Sequence, residues 1–220
     1  MKVSVIIPVY NEECNIIEVI KRVRAVRIEK EIILVDDGST DQGQAVIAGI
    51  SGIKKIFHEK NIGKGCAIRS GLEMVTGDVV IIQDADLEYD PNDYCRLLKP
   101  IENGETRVVY GSRFLGGGHF LTASRWANRF LTFLTNLFFS GRLTDMETCY
   151  KVLKTDLIKK LDLKSNRFEI EPEITTKLLK RKEKILEVPI AYLGRRVGKK
   201  IGVADGLAAI INLLKWRLNI

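Results

Sequence analysis

Short, unbroken runs of Val, Ile and Leu recur along the first half of the chain. They are separated by longer segments in which apolar residues are spaced as on one face of a helix. Unbroken apolar runs of this length are typical of strands buried on both faces of a sheet. The pattern predicts five strands, at residues 3–7, 31–35, 54–57, 78–83 and 106–110, and the first is expected to end at Pro8.

Helices are predicted between these strands. Asn11 is a candidate N-cap for a helix over residues 12–27, which carries apolar residues at helical spacing. Further helices are predicted up to residue 48, from the segment 61–65 to about residue 75, and after Asp90, where Pro91 suits a first helical position. The alternation predicts an α/β fold with a mostly parallel central sheet flanked by helices.

The second half of the chain has a different character. After the glycine-rich connection 115–118, the apolar spacing predicts helices at residues 124–140, 169–180 and 205–218, with one strand at 185–192. No internal repeat or low-complexity tract interrupts this pattern. We therefore expect a single domain over residues 1–220, composed of two halves, 1–115 and 116–220.

Polar residues follow three of the predicted strands at the point where each strand ends. These segments are Pro8–Tyr10, Asp36-Asp37 and Asp84–Asp86. In open α/β sheets, ligands bind outside the carboxyl ends of the strands. The fold is therefore expected to gather these residues along one edge of the sheet, in a single site.

Three carboxylates at alternate positions follow the fourth strand. Asp84, Asp86 and Glu88 would repel one another in a water-poor cleft, unless a hard divalent cation such as Mg²⁺ or Mn²⁺ lay among them. Diphosphate oxygens would then complete the coordination of the metal, which points to chemistry on a nucleoside diphosphate. The alternative is an acidic loop in which Asp90 caps a helix opened by Pro91.

Two further loops fit a nucleotide site, although each has a simpler explanation. Asp37 after the second strand suits hydrogen bonding to a base or ribose, but residues 36–41 also fit an ordinary turn and helix cap. Lys64, within the glycine-containing segment 61–65, suits neutralisation of a phosphate. That segment lacks the spacing of a Walker A loop, and its glycines are also explained by loop conformation.

The net charge of the chain favours an anionic partner. Among 220 residues, 35 Lys and Arg exceed 28 Asp and Glu, which gives a formal charge of +7. The four cysteines are scattered and are expected to be reduced thiols. The first apolar run is too short for a signal peptide, and no run is long enough for a transmembrane helix, so a soluble or peripheral intracellular protein is expected. His58 and His119 have no evident partner in the sequence.

Two basic or amphipathic segments of the second half are open to two interpretations. The run 195–200 is either a solvated loop or a clamp for an acceptor phosphate, with Arg195, Lys199 and Lys200 as candidate ligands. The helix 124–140 has a broad apolar face flanked by Arg125 and Arg142. It fits either a core helix or a helix that lies in a membrane interface.

The chain resembles the family-2 glycosyltransferases of the dolichyl-phosphate mannose/glucose synthase type, which have a GT-A fold. The likeness rests on motifs that follow one another in order over nearly the whole chain, at residues 5–12, 35–41, 61–65, 84–87, 111–114, 145–151, 168–173 and 187–190. The first four define the broad family, and the later ones point to the branch that acts on polyprenyl phosphates.

The resemblance implies a nucleotide-sugar-binding half, 1–115, and an acceptor-binding half, 116–220. It also implies roles for individual residues. Those implied to hold the nucleotide-sugar are Pro8, Tyr10, Glu12, Val35, Asp37, Lys64, Asp84, Ala85 and Asp86. Asp86 is the leading metal ligand, beside Asp84 and Glu88, and Glu88 stands where the family often has Gln. Arg113 would face the diphosphate or the acceptor phosphate, the latter together with Lys151.

The chain departs from the family pattern at several positions. The motif Asp-x-Thr-Ser-Gly-Phe-Arg reads here as residues 145–151, with Glu147 in place of Thr and Lys151 in place of Arg. An arginine often found shortly before Ser124 is absent. The Arg-x-x-Gly-x-Ser-Lys loop is compressed to 195–200, and the transmembrane pair of some members is missing.

The expected reaction is metal-dependent transfer of a hexosyl group from a UDP- or GDP-sugar to a polyprenyl (dolichyl or undecaprenyl) phosphate, with inversion. Asp86, Arg113 and Asp145 are the candidate catalytic residues, and Asp145 would serve as base if the acceptor were a saccharide or protein hydroxyl. That hydroxyl acceptor and nucleotidyl transfer are the alternatives. No nucleic-acid-reading motif is present. The expected location is the cytoplasmic face of the membrane, as a peripheral protein.

Overall fold

The computed structural model describes residues 1–195 and 203–218, with side chains described from residue 206 in the second range. These residues contain one sheet of seven strands, in the order β3-β2-β1-β4-β6-β5-β7. The strands are β1 (Val3–Val9), β2 (Lys30–Asp36), β3 (Lys54–Phe57), β4 (Val79–Ile82), β5 (Val108–Ser112), β6 (Lys151–Lys154) and β7 (Ile185–Pro189). The predicted acceptor ligands Lys199 and Lys200 lie outside the described residues.

Helices connect the strands on both sides of this sheet. They are α1 (Ile16–Ala25), α2 (Gly43–Ala48), α3 (Lys64–Glu73), α4 (Tyr94–Glu102), α5 (Thr122–Phe139), α6 (Thr155–Lys159), α7 (Ile170–Lys180) and α8 (Val203–Leu218). Helix α3 packs on β1 and β2, whereas α5, α7 and α8 pack on one another. The predicted α/β architecture with a mostly parallel sheet is confirmed.

The sheet is parallel except at β6, which runs antiparallel to both of its neighbours, β4 and β5. The sequence did not predict β6, because only Val152 and Leu153 are apolar in that strand. The short helix α6 that follows was not predicted either. As a consequence of this reversal, the start of β6 lies at the same edge of the sheet as the ends of β1, β2, β4 and β5.

The chain around the end of β1 differs from the sequence prediction in two ways. Pro8 lies within β1 and does not end it. Pairing with β4 covers only the first part of β1, from Val3 to Ile6, so the N–H that proline lacks is not needed on that side. Asn11 is not an N-cap, since α1 begins at Ile16 and Asn11 has a φ of 49° in the connecting loop.

The central strands and the second half of the molecule are buried very differently. All four residues of β4 are fully buried. Helix α5 instead leaves Trp126, Phe130, Phe133 and Leu137 exposed. Each helix in the described ranges is too short or too polar to span a bilayer.

Candidate functional site

A cleft of about 860 Å³ opens at the edge where β1, β2 and β4 end. Most residues predicted for the site line this cleft: Pro8, Tyr10, Glu12, Asp37, Lys64, Asp84, Ala85, Asp86, Glu88, Arg113 and Arg195. Val35, Asp145 and Lys151 do not line it, and all three are buried in the interior. The predicted convergence of strand ends on one site is therefore what the structure shows.

Asp37 is held at the β2 end of the cleft by backbone amides. Its carboxylate accepts hydrogen bonds from the N–H groups of Gly63 at 2.7 Å and Ile62 at 3.2 Å. Gly63 has a φ of 107°, and a side chain there would collide with the backbone of Asn166. The glycine-containing segment thus serves to bring two amides to Asp37, a role that turn propensity alone does not reveal.

His58 is not the isolated residue that the sequence suggested. Its Nδ1 lies 2.7 Å from Oδ1 of Asp37, and its Nε2 lies 2.9 Å from the Oγ of Ser70. Because Asp37 can only accept, Nδ1 carries the proton, and the ring links Asp37 to helix α3. The neighbouring Asp36 fits the turn prediction, as it accepts from the amide of Ser39 at 3.0 Å.

A buried charge network joins the end of β4 to helix α7. Nζ of Lys64 lies 2.7 Å from Asp84 and 2.9 Å from Glu171. Burial alone would lower the pKa of Lys64, but its acidic neighbours, Asp84 foremost, raise it well above its ordinary value. Asp84 is therefore neutralised by Lys64 in this structure, and Glu171 is a site residue that the sequence prediction did not include.

The three carboxylates predicted to share a metal ion do not converge. Glu88 accepts from the hydroxyl of Tyr192 at 2.7 Å and from the amide of Arg195 at 2.8 Å, while Asp84 pairs with Lys64. Within the described ranges, no set of three metal-ligating side chains is gathered around one point. The predicted ligand trio is thus not preformed.

Among these three carboxylates, the surroundings of Asp86 suit a divalent cation. Burial, followed by the charges of Asp84 and Glu88, raises the pKa of Asp86 to about 7. Its Oδ2 lies 3.7 Å from a guanidinium nitrogen of Arg195. A hard divalent cation is stabilised by carboxylate oxygen and would relieve this repulsion, so Asp86 fits Mg²⁺ or Mn²⁺.

Arg113 and Asp145 form a buried bidentate ion pair at the end of β5. Nε and Nη2 of Arg113 each lie 2.7 Å from an oxygen of Asp145. The guanidinium also lies over the rings of Phe120 and Tyr192. Asp145 has no exposed surface and both of its oxygens face Arg113, so its position does not suit the predicted role as a base. It positions Arg113 instead.

Lys151 is also a structural cation in this arrangement. Its side chain is fully buried, and Nζ donates to the carbonyl of Met146 at 2.9 Å and to Glu171 at 2.8 Å. The prediction that Lys151 contacts an acceptor phosphate does not fit this position, because the ammonium group is enclosed by protein acceptors. Lys151 fixes the loop that precedes β6.

Glu147 lines the cleft, although the sequence interpretation gave it no role. Its Oε1 is sealed from solvent and has no hydrogen-bond partner among the described residues. Burial raises the pKa of Glu147 to about 7, although the charge of Lys151 acts in the opposite direction. The signal available in the sequence was the departure from the family motif at this position.

The cleft continues from Arg113 to a passage between α5 and α8. Most side chains that line this passage are apolar or small, namely Ala123, Ala127, Phe130 and Leu131 on α5 and Leu207, Ala209 and Ile210 on α8, while Ser124 and Asn128 are the polar residues of α5 in the lining. Phe130 and Leu207 are also exposed at the outer surface, at 52% and 56%. The polar end of the cleft is thus continuous with an apolar surface of two helices.

Comparison with known proteins places the chain in a family. The family model described as glycosyl transferase family 2 matches residues 4–162, a span that begins within β1, extends past β6 and includes every carboxylate named above except Glu171. The chain belongs to glycosyl transferase family 2. The predicted family is therefore confirmed.

Two family-2 relatives carry names that specify an acceptor. The dolichol-phosphate mannosyltransferase of Pyrococcus furiosus is 30% identical over 234 positions, which cover 98% of this chain. The chain spans 64% of the length of that relative. The undecaprenyl-phosphate 4-deoxy-4-formamido-L-arabinose transferase of Pseudomonas fluorescens is 39% identical over 111 positions, which cover 46% of this chain and 33% of the relative.

Solved structures of a glycosyltransferase share the fold. Glucosyl-3-phosphoglycerate synthase from Mycobacterium tuberculosis, in complex with Mn²⁺, UDP and glucosyl-3-phosphoglycerate, superposes with a TM-score of 0.77 at 23% identity. The match covers all of this chain and 80% of that one. The same synthase with Mg²⁺ and UDP gives a TM-score of 0.75. The predicted GT-A fold is confirmed.

Proposed function

We propose that this protein transfers a sugar from a nucleotide-sugar to a polyprenyl phosphate, with inversion at the anomeric carbon. One observation carries the proposal: the cleft joins a carboxylate-lined nucleotide end to a buried arginine, and then to an apolar passage between α5 and α8. This sequence of environments matches a donor with a diphosphate and an acceptor with an anionic head and an apolar tail. The two acceptor-specific relatives named above support the same acceptor class.

The donor would lie along the ends of β2, β1 and β4. Pro8, Tyr10 and Asp37 border its nucleoside, and Lys64 and Asp84 border the part nearest the sugar. Mg²⁺ or Mn²⁺ held by Asp86 would supply positive charge to the leaving diphosphate. A related fold has been solved with either ion together with UDP, which supports this cation requirement.

The acceptor phosphate is an anion near neutral pH and needs no strong base. Positioning and charge stabilisation are therefore the main tasks of the protein. Arg113 would hold the acceptor phosphate at the β5 end, since Asp145 fixes its guanidinium in a bidentate pair. Arg195, which pairs with Glu12 at 2.8 Å, lines the same cleft.

Helices α5 and α8 would hold the protein at a membrane surface. Each exposes four large apolar residues at the same helical spacing: Trp126, Phe130, Phe133 and Leu137 on α5, and Leu207, Ile211, Leu214 and Leu218 on α8. The two helices contact each other, and each stripe contributes one residue, Phe130 or Leu207, to the lining of the cleft. Arg125, Arg129, Lys215 and Arg217 supply exposed basic residues beside them, as in peripheral membrane helices.

Product analysis tests the proposed acceptor. The full chain is incubated with radiolabelled UDP- or GDP-sugars, Mg²⁺ or Mn²⁺, and either undecaprenyl phosphate or dolichyl phosphate in vesicles. We expect label to enter the lipid fraction and a nucleoside diphosphate to be released. Label in a soluble saccharide or protein instead would establish the hydroxyl acceptor, and release of pyrophosphate would establish nucleotidyl transfer. Either result contradicts the proposal.

Vesicle flotation tests the membrane contact separately. The wild-type chain should float with vesicles that contain anionic lipid. The double variant Trp126→Glu, Phe133→Glu should remain at the bottom, because two charges would enter the apolar face. Ile17, an exposed apolar residue on α1, gives the matched control as Ile17→Glu, which should float like the wild type. Equal flotation of all three proteins would show that this apolar face does not contact the membrane.

A further inference from the structure

Glu147 presents a buried oxygen that lacks a donor. Its Oε1 is sealed from solvent and receives no hydrogen bond from the described residues, although its side chain lines the cleft. Native proteins rarely leave a buried polar atom unpaired, because the lost hydration is not replaced. A ligand in the cleft is therefore the natural source of the missing donor.

The neighbouring cations do not supply that donor, since each has its own carboxylate. Arg113 is paired with Asp145 through two contacts of 2.7 Å, and Lys151 is paired with Glu171 at 2.8 Å. These pairs lie in the interior beside Glu147 and fix its surroundings. The carboxyl group of Glu147 is thus placed in the wall of the cleft without an ion pair to any of the described residues.

The position of Glu147 along the sheet edge indicates which part of a donor it would meet. The strands run in the order β2-β1-β4-β6-β5, with Asp37 at β2, Asp86 after β4 and Glu147 before β6. The loop of Glu147 is tied to β4, because the Sγ of Cys149 lies 3.5 Å from the carbonyl oxygen of Ile82. Glu147 therefore follows the diphosphate position, on the side away from the nucleoside.

The hydrogen-bonding groups of the donor then indicate which part of it Glu147 contacts. Diphosphate oxygens only accept hydrogen bonds, and their charge would be repelled by a carboxylate. Sugar hydroxyls donate, and they lie next to the diphosphate in every nucleotide-sugar. We propose that Glu147 accepts a hydrogen bond from a hydroxyl group of the transferred sugar and thereby helps to select that sugar. The inference rests on the proposed function, because it requires a nucleotide-sugar in this cleft.

Calorimetric titration of the full chain with nucleotides tests this inference. The probes are UDP, GDP, UDP-glucose, UDP-galactose and GDP-mannose in the presence of Mg²⁺. Glu147→Ala should weaken binding of the preferred nucleotide-sugar about 10- to 100-fold, as expected for loss of a hydrogen bond to a charged group. Binding of the matching nucleoside diphosphate, which has no sugar, should stay within about twofold of the wild type. Glu147→Gln, which keeps an accepting oxygen, should restore much of the lost affinity.

Asp93→Asn is the matched control. Burial also raises the pKa of the Asp93 carboxyl, but Asp93 does not line the cleft and accepts from the amide of Ala191 at 2.8 Å. This variant should bind every probe like the wild type. Melting temperatures of all variants establish that they are folded. If Glu147→Ala does not fold, Glu147→Gln and the wild type with modified donors still decide the question.

Deoxy donors identify the hydroxyl that Glu147 contacts. Nucleotide-sugars that lack one hydroxyl at a time are titrated into the wild type and into the Glu147 variants. One deoxy donor should bind the wild type about 10- to 100-fold more weakly, and the same donor should lose no further affinity with Glu147→Ala. Such coupling is expected for a direct contact and not for a general effect on the fold.

Several outcomes would overturn the inference. If Glu147→Ala still bound UDP or GDP and kept the wild-type affinity and preference for nucleotide-sugars, Glu147 would not contact the sugar. The proposed function would then still stand. Equal losses for UDP and UDP-sugar would make Glu147 a metal or phosphate determinant. Normal donor binding with turnover lost in Glu147→Gln would make it a base for a hydroxyl acceptor. If the wild type bound no nucleotide at all, the proposed function itself would fail.

Discussion

The two ends of the cleft hold their charged groups by different means. At the β2 end, Asp37 is held by the backbone amides of Ile62 and Gly63 and by the His58 ring. At the β5 end, Arg113 is held by the side-chain carboxylate of Asp145, and in the interior behind the cleft Lys151 is held by Glu171. Backbone amides carry no net charge, so the first end tolerates the loss of one group better. The second depends on complete ion pairs.

Asp86, which lies between the two ends, is where the largest effect is expected. Asp86→Ala should lower kcat by about 10³-fold or more, because charge stabilisation of the leaving diphosphate is lost. The melting temperature should stay the same or rise, since repulsion from Asp84 and Glu88 disappears. Turnover with the identified donor and thermal unfolding measure the two effects.

Asp90→Asn is the control for that variant, because it lies in the same loop and asparagine also serves as a cap. It should keep both activity and melting temperature. Transfer should also cease in excess EDTA. Near-normal turnover by Asp86→Ala, or full activity with EDTA, would contradict a cation at this position.

Removing one carboxylate at each end shows how much each carboxylate contributes to the free energy of unfolding. Asp145→Ala leaves the Arg113 guanidinium buried without its partner, which should lower the free energy of unfolding by about 3–5 kcal/mol. Asp37→Ala leaves two amides and the His58 ring without an acceptor, and should cost about 1–3 kcal/mol. Urea unfolding of both variants measures the difference. An equal or reversed order would show that the two ends do not differ as described.

At the β5 end, Glu147 should make the free energy of unfolding depend on pH. Its pKa is raised from an ordinary 4.5 to about 7 in the folded protein, so the folded state binds this proton more tightly than the unfolded state. The stabilising contribution is therefore present below pH 4.5 and is lost as the pH rises through 7. The loss is at most about 3 kcal/mol, since one pKa unit corresponds to about 1.4 kcal/mol.

Glu147→Gln should remove this dependence, because the amide does not titrate. The difference in unfolding free energy between wild type and variant, measured by urea unfolding at a series of pH values, isolates Glu147 from Asp86, which titrates in the same range. A difference that stays constant between pH 4.5 and 7 would mean that the carboxyl group of Glu147 is not desolvated.

The smallest effect is expected at His58. His58→Ala should weaken nucleoside diphosphate binding about fivefold, close to 1 kcal/mol, since Asp37 keeps its two backbone amides. His58→Asn should bind almost normally, because its side-chain amide still donates to Asp37. Titration with UDP and GDP measures both. A loss as large as that from removing Asp37 itself would show that the backbone does not hold this carboxylate.

The strand ends of the first half could be predicted from the sequence because local pattern determines them. The apolar runs of β1, β2 and β4 fix where each strand ends, and parallel pairing then brings Pro8, Asp37 and Asp84 to one edge. The family resemblance could also be recognised from the sequence, because its first motifs lie at these same strand ends. The boundaries of the elements were predicted less accurately, since Pro8 lies within β1 and Asn11 is not the N-cap of α1.

The second end could not be predicted because its contacts join residues far apart in sequence. Arg113 and Asp145 are 32 positions apart, and Lys151 and Glu171 are 20 apart. No local pattern reveals which cation faces which carboxylate, so Asp145 was predicted as a catalytic residue and Lys151 as a ligand of the acceptor phosphate. Strand β6, with its two apolar residues, gave no periodic signal, and without it the placement of Glu147 could not be foreseen.

The insertion of β6 between β4 and β5 limits where the polypeptide can be cut without leaving the sheet incomplete. In the described sheet, β4 and β5 share no hydrogen bonds, and β6 is the strand that joins them. A fragment that ends near residue 115 would carry β5 without either neighbour, β6 or β7. A cut near residue 115 would therefore leave the sheet incomplete on both sides of the cut, and chimaeras should keep β4, β5 and β6 from one parent.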